Sequence, residues 1–242
     1  MKKALLLIPA LVISFTLSSY APVHPADANT IQISIPSTLD MGNALKQALQ
    51  KGTTKSSDQL SAVNGFFGNA AVKILFPPEA AKAEKTLRSI GLGKLCDNVI
   101  LSLNRAAEDA AKQAKPIFIS AITHMTLKDV ENILLGNQDA ATQYFRRTTS
   151  DQLTASFKPI IQVSLNKVGA TKYYGQAAGE YNKITFVSKM NPDISAYVTQ
   201  KAIDGLFIEI ALEELNVRKN IGARTTPLLQ NVFAFVDKKK KG

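Results

Sequence analysis

The sequence predicts an all-α protein, a single multi-helix domain arranged around one central apolar helix. Three observations carry that prediction. Apolar residues recur at steps of three and four along nearly the whole chain. The segment from Asp193 to about Lys219 is apolar on most sides of a helical wheel, as a central helix must be. Glycine, proline and cap-forming residues stand at most of the expected helix ends.

The first element reads as a leader. Lys2 and Lys3 form a basic start, and Ala4 to Leu17 is an apolar run too short to span a bilayer comfortably. Two small-x-small cleavage sites follow. Pro22 disfavours the cut after Ala21, whereas Ala26-Asp27-Ala28 leaves Asn29 as the mature start. Residues 1–28 are therefore expected to be a signal peptide and 29–242 a single all-α domain, with a disordered lysine-rich tail at 237–242. The expected location is the periplasm. No cysteine stands just after the apolar run, where a lipoprotein anchor would need one, and no later segment is apolar and long enough to cross a membrane. Cys96 is the only cysteine, so no intramolecular disulfide exists, and it is expected to be a small buried residue. The formal charge is +10, but the run Lys238 to Lys241 holds much of it. That tail is a candidate for weak contact with anionic surfaces, and nucleic acid is not an expected partner.

The elements follow in order. Leu39 to Lys51 carries Ala44, Leu45, Ala48 and Leu49 at helical spacing, with Gly52 as the stop; Ser57 to Asn64 reads as a second short helix closed by Gly65. Ile31 to Ile35 alternates apolar and polar, and Val72 to Pro78 is short and extended; these two would form a minor β ribbon. Pro78 opens a helix to Ile90, closed by Gly91. Lys94 to Met125 is the longest periodic stretch, with an alanine-rich stripe and a kink or break expected at Pro116. Thr126 to Asp129 has the form of a capping box, opening a helix that ends at Leu135 with Gly136 in the left-handed stop position. Asp139 then starts a helix that buries Tyr144 and Phe145, and Thr149 with Gln152 caps a further one bent by Pro159. The segment after Lys167 is glycine-rich and weakly helical. Pro192 opens the central helix, and Thr226-Pro227 opens the last.

Few residues fit a known chemistry. His124 is the only histidine beyond the leader, and it is expected to be partly buried and hydrogen-bonded. With one histidine, one cysteine and no metal-binding spacing, no metal and no cofactor are expected. There is no nucleophile elbow, no P-loop and no dinucleotide fingerprint. Two polar constellations remain. In "NRAAED" Asn104 lies at the edge of the buried stripe, and Arg105 meets Glu108 and Asp109 at helical spacing. In "EIALEELNVRKN" Glu209 and Glu213 lie four apart, as do Glu214 and Arg218. Carboxylates in a largely buried helix must be paired or have raised pKa values. Glu209 and Glu213 are either ion-pair partners of Arg105, Arg146 or Arg224, or a general acid/base pair. Arg146 is expected to pair with Glu213 or Glu214. The candidate cluster is thus Asn104, Arg105, Glu108, Arg146, Glu209, Glu213, Glu214 and Arg218.

The stretches "NRAAEDAAKQAKPIF", "MTLKDVENILLGNQDAATQYFRRTT", "KPII", "AYVTQKAIDGLF" and "TPLLQNVF" together resemble a bacterial family called domain of unknown function 4197. The resemblance covers roughly Met41 to Val236. It implies a helical exported protein, and many of its members look like lipoproteins. This chain lacks their lipid-bearing cysteine, and the family supplies no catalytic residue to carry over.

Two functions compete at this level, with a lipid carrier, which would need a sizeable apolar cavity, as a third. One is a non-enzymatic envelope protein, binding or structural, whose partner is another envelope protein or an amphipathic ligand. The other is a hydrolase or lyase working through Glu209, Glu213, Arg105 and Arg146. An enzyme should bring these side chains to an open cleft, and a scaffold should pair them and close them off.

Overall fold

The computed structural model describes residues 35–186, 189–190 and 193–241. The leader and its cleavage site lie outside the described residues, as does most of Ile31–Ile35. Among the described residues there is no strand. The helices are α1 (Thr38–Ser61), α2 (Ala81–Ser89), α3 (Gly93–Ala111), α4 (Ala114–Thr123), α5 (Leu127–Leu135), α6 (Ala140–Lys167), α7 (Ala170–Asn182), α8 (Ser195–Lys219) and α9 (Pro227–Lys241), with short 3₁₀ turns at Pro78–Ala80 and Ile221–Ala223.

α1 starts at a full capping box, in which Ser37 accepts from Asp40 N–H and the Asp40 carboxylate accepts from Ser37 N–H. It does not stop at Gly52. The two helices expected there are one, because the buried stripe continues through Thr53, Ser56, Ser57 and Leu60. The Thr53 hydroxyl donates to Leu49 O at 2.8 Å, which lets a polar residue sit on a buried face. Gly52 is instead a packing position: a Cβ there would stand 3.5 Å from Glu213 Cβ on α8.

The expected ribbon is absent among the described residues. Val72, Ile74 and Phe76 are buried while Ala71 and Leu75 are exposed, which is strand-like alternation. Their partner is a side chain. Asn104 on α3 accepts from Ile74 N–H and donates to Ile74 C=O, both at 2.8 Å. One buried amide thus does for this segment what a neighbouring strand would do.

The break in the long periodic stretch falls between α3 and α4, not at Pro116. Proline is tolerated in the first turn of a helix, where its missing N–H has no acceptor to lose, and Pro116 sits in the first turn of α4. α6 runs unbroken past Thr149, whose hydroxyl donates to Phe145 O and so is no cap, and Pro159 lies inside it. α7 forms despite its glycines, with Gly169 at φ 74° before it and Ala170, Tyr174, Ala177, Ala178 and Tyr181 buried along one face.

α8 is the central helix. It packs against α6, α1 and α3 and buries Val198, Ala202, Ile203, Leu206, Phe207 and Ile210. An aromatic cluster sits where α4, α6 and α8 meet: Phe118 lies 5.3 Å from Phe145 and 6.2 Å from Phe207, centroid to centroid and edge to face. α9 returns to α1. The Thr226 hydroxyl donates to Gln47 at 2.8 Å, and Lys51 donates to Thr225 at 3.1 Å. α9 carries the lysine run as helix through Lys241. No helix among the described residues is long and apolar enough to cross a membrane.

Candidate functional site

The eight candidate residues do not form one cluster. Seven of them fall into three groups, each joining separate pieces of chain, and Arg146 stands apart. In the first, the Glu108 carboxylate accepts from Phe66 and Phe67 N–H, both at 3.2 Å, and pairs with Arg105 at 2.5 Å. Arg105 also donates to Asn64 at 2.8 Å, and Asn64 holds a positive φ of 68° in the turn after α1. With Asn104 on Ile74, one turn of α3 fixes both ends of the irregular segment between α1 and α2.

The second group lies on α8. Glu209 is buried, and it accepts from the side-chain amides of Asn69 at 2.6 Å and Gln59 at 3.3 Å. Glu213 pairs with Lys55 of α1. Neither meets Arg105, Arg146 or Arg224, the partners expected from the sequence. Arg224 is buried at the end of α8, where it donates to Val217 O and Arg218 O and pairs with Asp237 of α9 at 2.7 Å.

The third group resolves the corner "LLGNQDAATQ". Gly136 is not left-handed; its φ is −73°. It is glycine because a Cβ would lie 2.3 Å from Asn132 O and 2.8 Å from Ala140 Cβ. Asp139 precedes α6 without bonding its free amides. That role falls to Glu214 of α8, which accepts from Ala141 N–H and from Thr142 N–H and hydroxyl, all at 2.9 Å. Glu214 also pairs with Arg218 at 2.8 Å, and Arg218 donates to Ile133 O and Leu134 O at the end of α5. A carboxylate at a helix N-terminus and a guanidinium at a C-terminus both sit where the backbone charge is complementary.

Glu213, Glu214 and Arg218 border a cavity between α1, α6, α8 and α9. Its volume is about 30 Å³, room for roughly one water, and its other walls are mainly apolar, Leu45, Leu49, Ile210 and Phe233 among them.

Arg146 points elsewhere. It lies 3.8 Å from Asp204 and stacks over Phe207 at 4.6 Å, so the expected pairing with Glu213 or Glu214 does not occur. The reason is rotational: Arg146 follows Phe145, and burying Phe145 turns Arg146 to the outer side of the α6–α8 contact. There it lines an open groove of about 450 Å³ with Lys73, Leu75, Phe76, Tyr197, Lys201, Asp204 and Ile208. The sequence reading missed this groove. The signal was present in "AYVTQKAIDGLFI", where Tyr197, Lys201, Asp204 and Ile208 fall on one helical face.

Other candidates are structural in place. Cys96 is buried and free, and burial pushes its thiol pKa up. His124 is exposed rather than partly buried, ending α4 with Nδ1 2.8 Å from Ser120 O. Among the described residues no three of His, Cys, Asp and Glu are grouped as metal ligands would be.

Fold and site together define an all-helical protein whose buried charges end helices and pin loops. The chain belongs to the family described as protein of unknown function (DUF4197), whose sequence model matches residues 36–234. Neither the curated proteins nor the solved structures contain a match to it.

Proposed function

We propose that the protein is an exported, non-catalytic helical protein of the cell envelope that acts by binding another envelope component, protein or amphipathic ligand. Export is supported by the leader-like start with its Ala26-Asp27-Ala28 site. One observation supports the non-catalytic reading above the rest. Glu108, Glu209, Glu213 and Glu214 each end on a partner in another part of the chain or on a helix terminus, and the cavity beside Glu213 and Glu214 is only about 30 Å³. A hydrolase or lyase using Glu209, Glu213, Arg105 and Arg146 needs those groups around one substrate-sized space. Arg105 and Arg146 serve different neighbours instead.

The test is capture from a bacterial envelope fraction with the purified protein, followed by mass spectrometry of retained proteins and small molecules. The reading expects a partner recovered unaltered, and recovered equally by Glu209→Gln. A retained molecule that is converted on incubation, with conversion abolished by Glu209→Gln, would overturn it. N-terminal sequencing of the exported form is expected to begin at Asn29; a start at Met1 or Pro22 counts against the assigned leader.

A further inference from the structure

We propose that the groove between α8, α6 and the segment Ala71–Phe76 binds an oxyanion, carboxylate or phosphate, carried at the end of an apolar chain. This rests on the binding-protein reading and assigns it a site.

Three cations line the groove, Lys73, Arg146 and Lys201, against one carboxylate, Asp204. Among the described residues neither Lys73 nor Lys201 has an ion-pair partner. Arg146 stands 3.8 Å from Asp204, and Asp204 also accepts from Gln200 at 3.0 Å. Each cation also lies over an aromatic ring: Lys73 over Phe67 at 4.0 Å, Arg146 over Phe207 at 4.6 Å and Lys201 over Tyr197 at the longer distance of 5.9 Å. A ring holds a cation in position without cancelling its charge, so the positive potential remains available to an incoming anion.

The walls supply the rest. Leu75 is 52 % exposed and Ile208 37 % exposed, and both line the groove beside Phe76. The Leu75 N–H has no hydrogen-bond partner among the described residues, while Leu75 O accepts from Tyr197 at 3.2 Å. A free amide, three cations and adjoining apolar side chains suit a ligand with an anionic head and a short apolar stem. The floor is rigid. Gly205 lets α8 approach this segment, since a Cβ there would lie 3.3 Å from Val72 Cβ, and 2.6 Å from the Phe66 ring beside it.

Calorimetric titration of the purified protein with octyl phosphate, octanoate, inorganic phosphate and octyl glucoside, all below micelle formation, tests the assignment. Octyl phosphate and octanoate are expected to bind at one site and to weaken about tenfold or more in high salt, where screening is strong. Inorganic phosphate alone should bind far more weakly, and octyl glucoside not at all. Comparable binding of inorganic phosphate would reassign the site to the free anion and overturn the apolar half of the proposal. Arg146→Gln with Lys201→Gln should lower affinity at least roughly tenfold, and Asp204→Asn should raise it, because it removes the groove's own competing charge. The gain in Asp204→Asn cannot come from misfolding. No binding by the unmodified protein, equal binding of octyl glucoside, or indifference to all three substitutions overturns the groove assignment. It leaves the wider binding reading to the envelope capture, whose outcome does not depend on this groove.

Discussion

Glu214 and Arg218, one turn apart on α8, jointly finish two other helices: the carboxylate receives the first amides of α6, and the guanidinium caps the last carbonyls of α5. The Glu214 side chain is buried and that of Arg218 nearly so, at 5 % and 10 % exposure. Breaking a buried pair from one side strands a charge, so Glu214→Gln or Arg218→Met is expected to cost about 3–5 kcal/mol in urea unfolding. An ordinary buried pair is often replaced by apolar residues without loss. Here the double variant Glu214→Leu/Arg218→Met should stay destabilised, because it leaves the amides of Ala141 and Thr142 and the carbonyls of Ile133 and Leu134 without their side-chain partners. A double variant as stable as the parent would show that the capping bonds contribute little.

Asn104 should be equally hard to replace. Asn104→Leu leaves the buried N–H and C=O of Ile74 without partners, at an expected cost of about 2–4 kcal/mol. Asn104→Asp is more informative. Its carboxylate would face Ile74 O and Ile100 O, which the present amide satisfies by donating. The folded state then favours the protonated acid, so its pKa lies above the unfolded value of about 3.9. That variant should be closest to the parent in acid and lose stability as pH rises from about 4, measured as the urea midpoint against pH. A pH-independent gap would place this side chain outside the Ile74 contact.

Two glycines on facing helices should respond oppositely to alanine. In Gly52→Ala the new Cβ meets Glu213 Cβ at 3.5 Å, an ordinary contact, and mid-helix alanine should stabilise by up to about 1 kcal/mol. In Gly205→Ala the Cβ would lie 2.6 Å from the ring of Phe66, which is fully buried. Overpacking there should cost about 1–3 kcal/mol and exceed the helical gain. Thermal unfolding of both variants decides the signs.

Acid should weaken the protein through carboxylates that cap or pin helices. Asp109 is held below its usual pKa by Lys112 and then Ser164, Asp129 by the Thr126 hydroxyl and backbone, and Asp193 by Ser195. A depressed folded pKa means that the unfolded chain binds more protons near pH 4. The stability these groups confer is therefore present above the unfolded value and lost as pH falls through the folded one. The urea midpoint should be level above about pH 5 and fall below about pH 4, less steeply in Asp129→Asn.

How much of this was legible depended on the kind of signal. The α5 capping box, the buried pair Tyr144 and Phe145, and the central helix ending at Lys219 follow from local chemistry and periodicity, and all three stand in the structure. The continuity of α1 was hidden because its buried stripe changes from leucine and alanine to Thr53, Ser56 and Ser57, which carry no apolar signal. The stop at Gly136 was misread because a glycine required by close approach looks the same in sequence as one required by a positive φ. The partners of Glu214 and Glu209 lie 72 and 140 positions away in the chain, beyond any periodicity argument. The groove at Tyr197 and Lys201 needed the segment around Leu75 to complete it, and only folding brings that segment there.

The seating of α9 beside α1 bears on the order in which the molecule can be made. Synthesis delivers α1 and its neighbours α3, α4 and α5 first and α8 and α9 last, so the part of the α1 stripe that faces Ile210 and Phe233 is completed only when those residues exist. A chain interrupted before Pro227 lacks α9 and would leave the side of α1 that α9 covers as an open apolar seam, a surface that invites chaperones or aggregation.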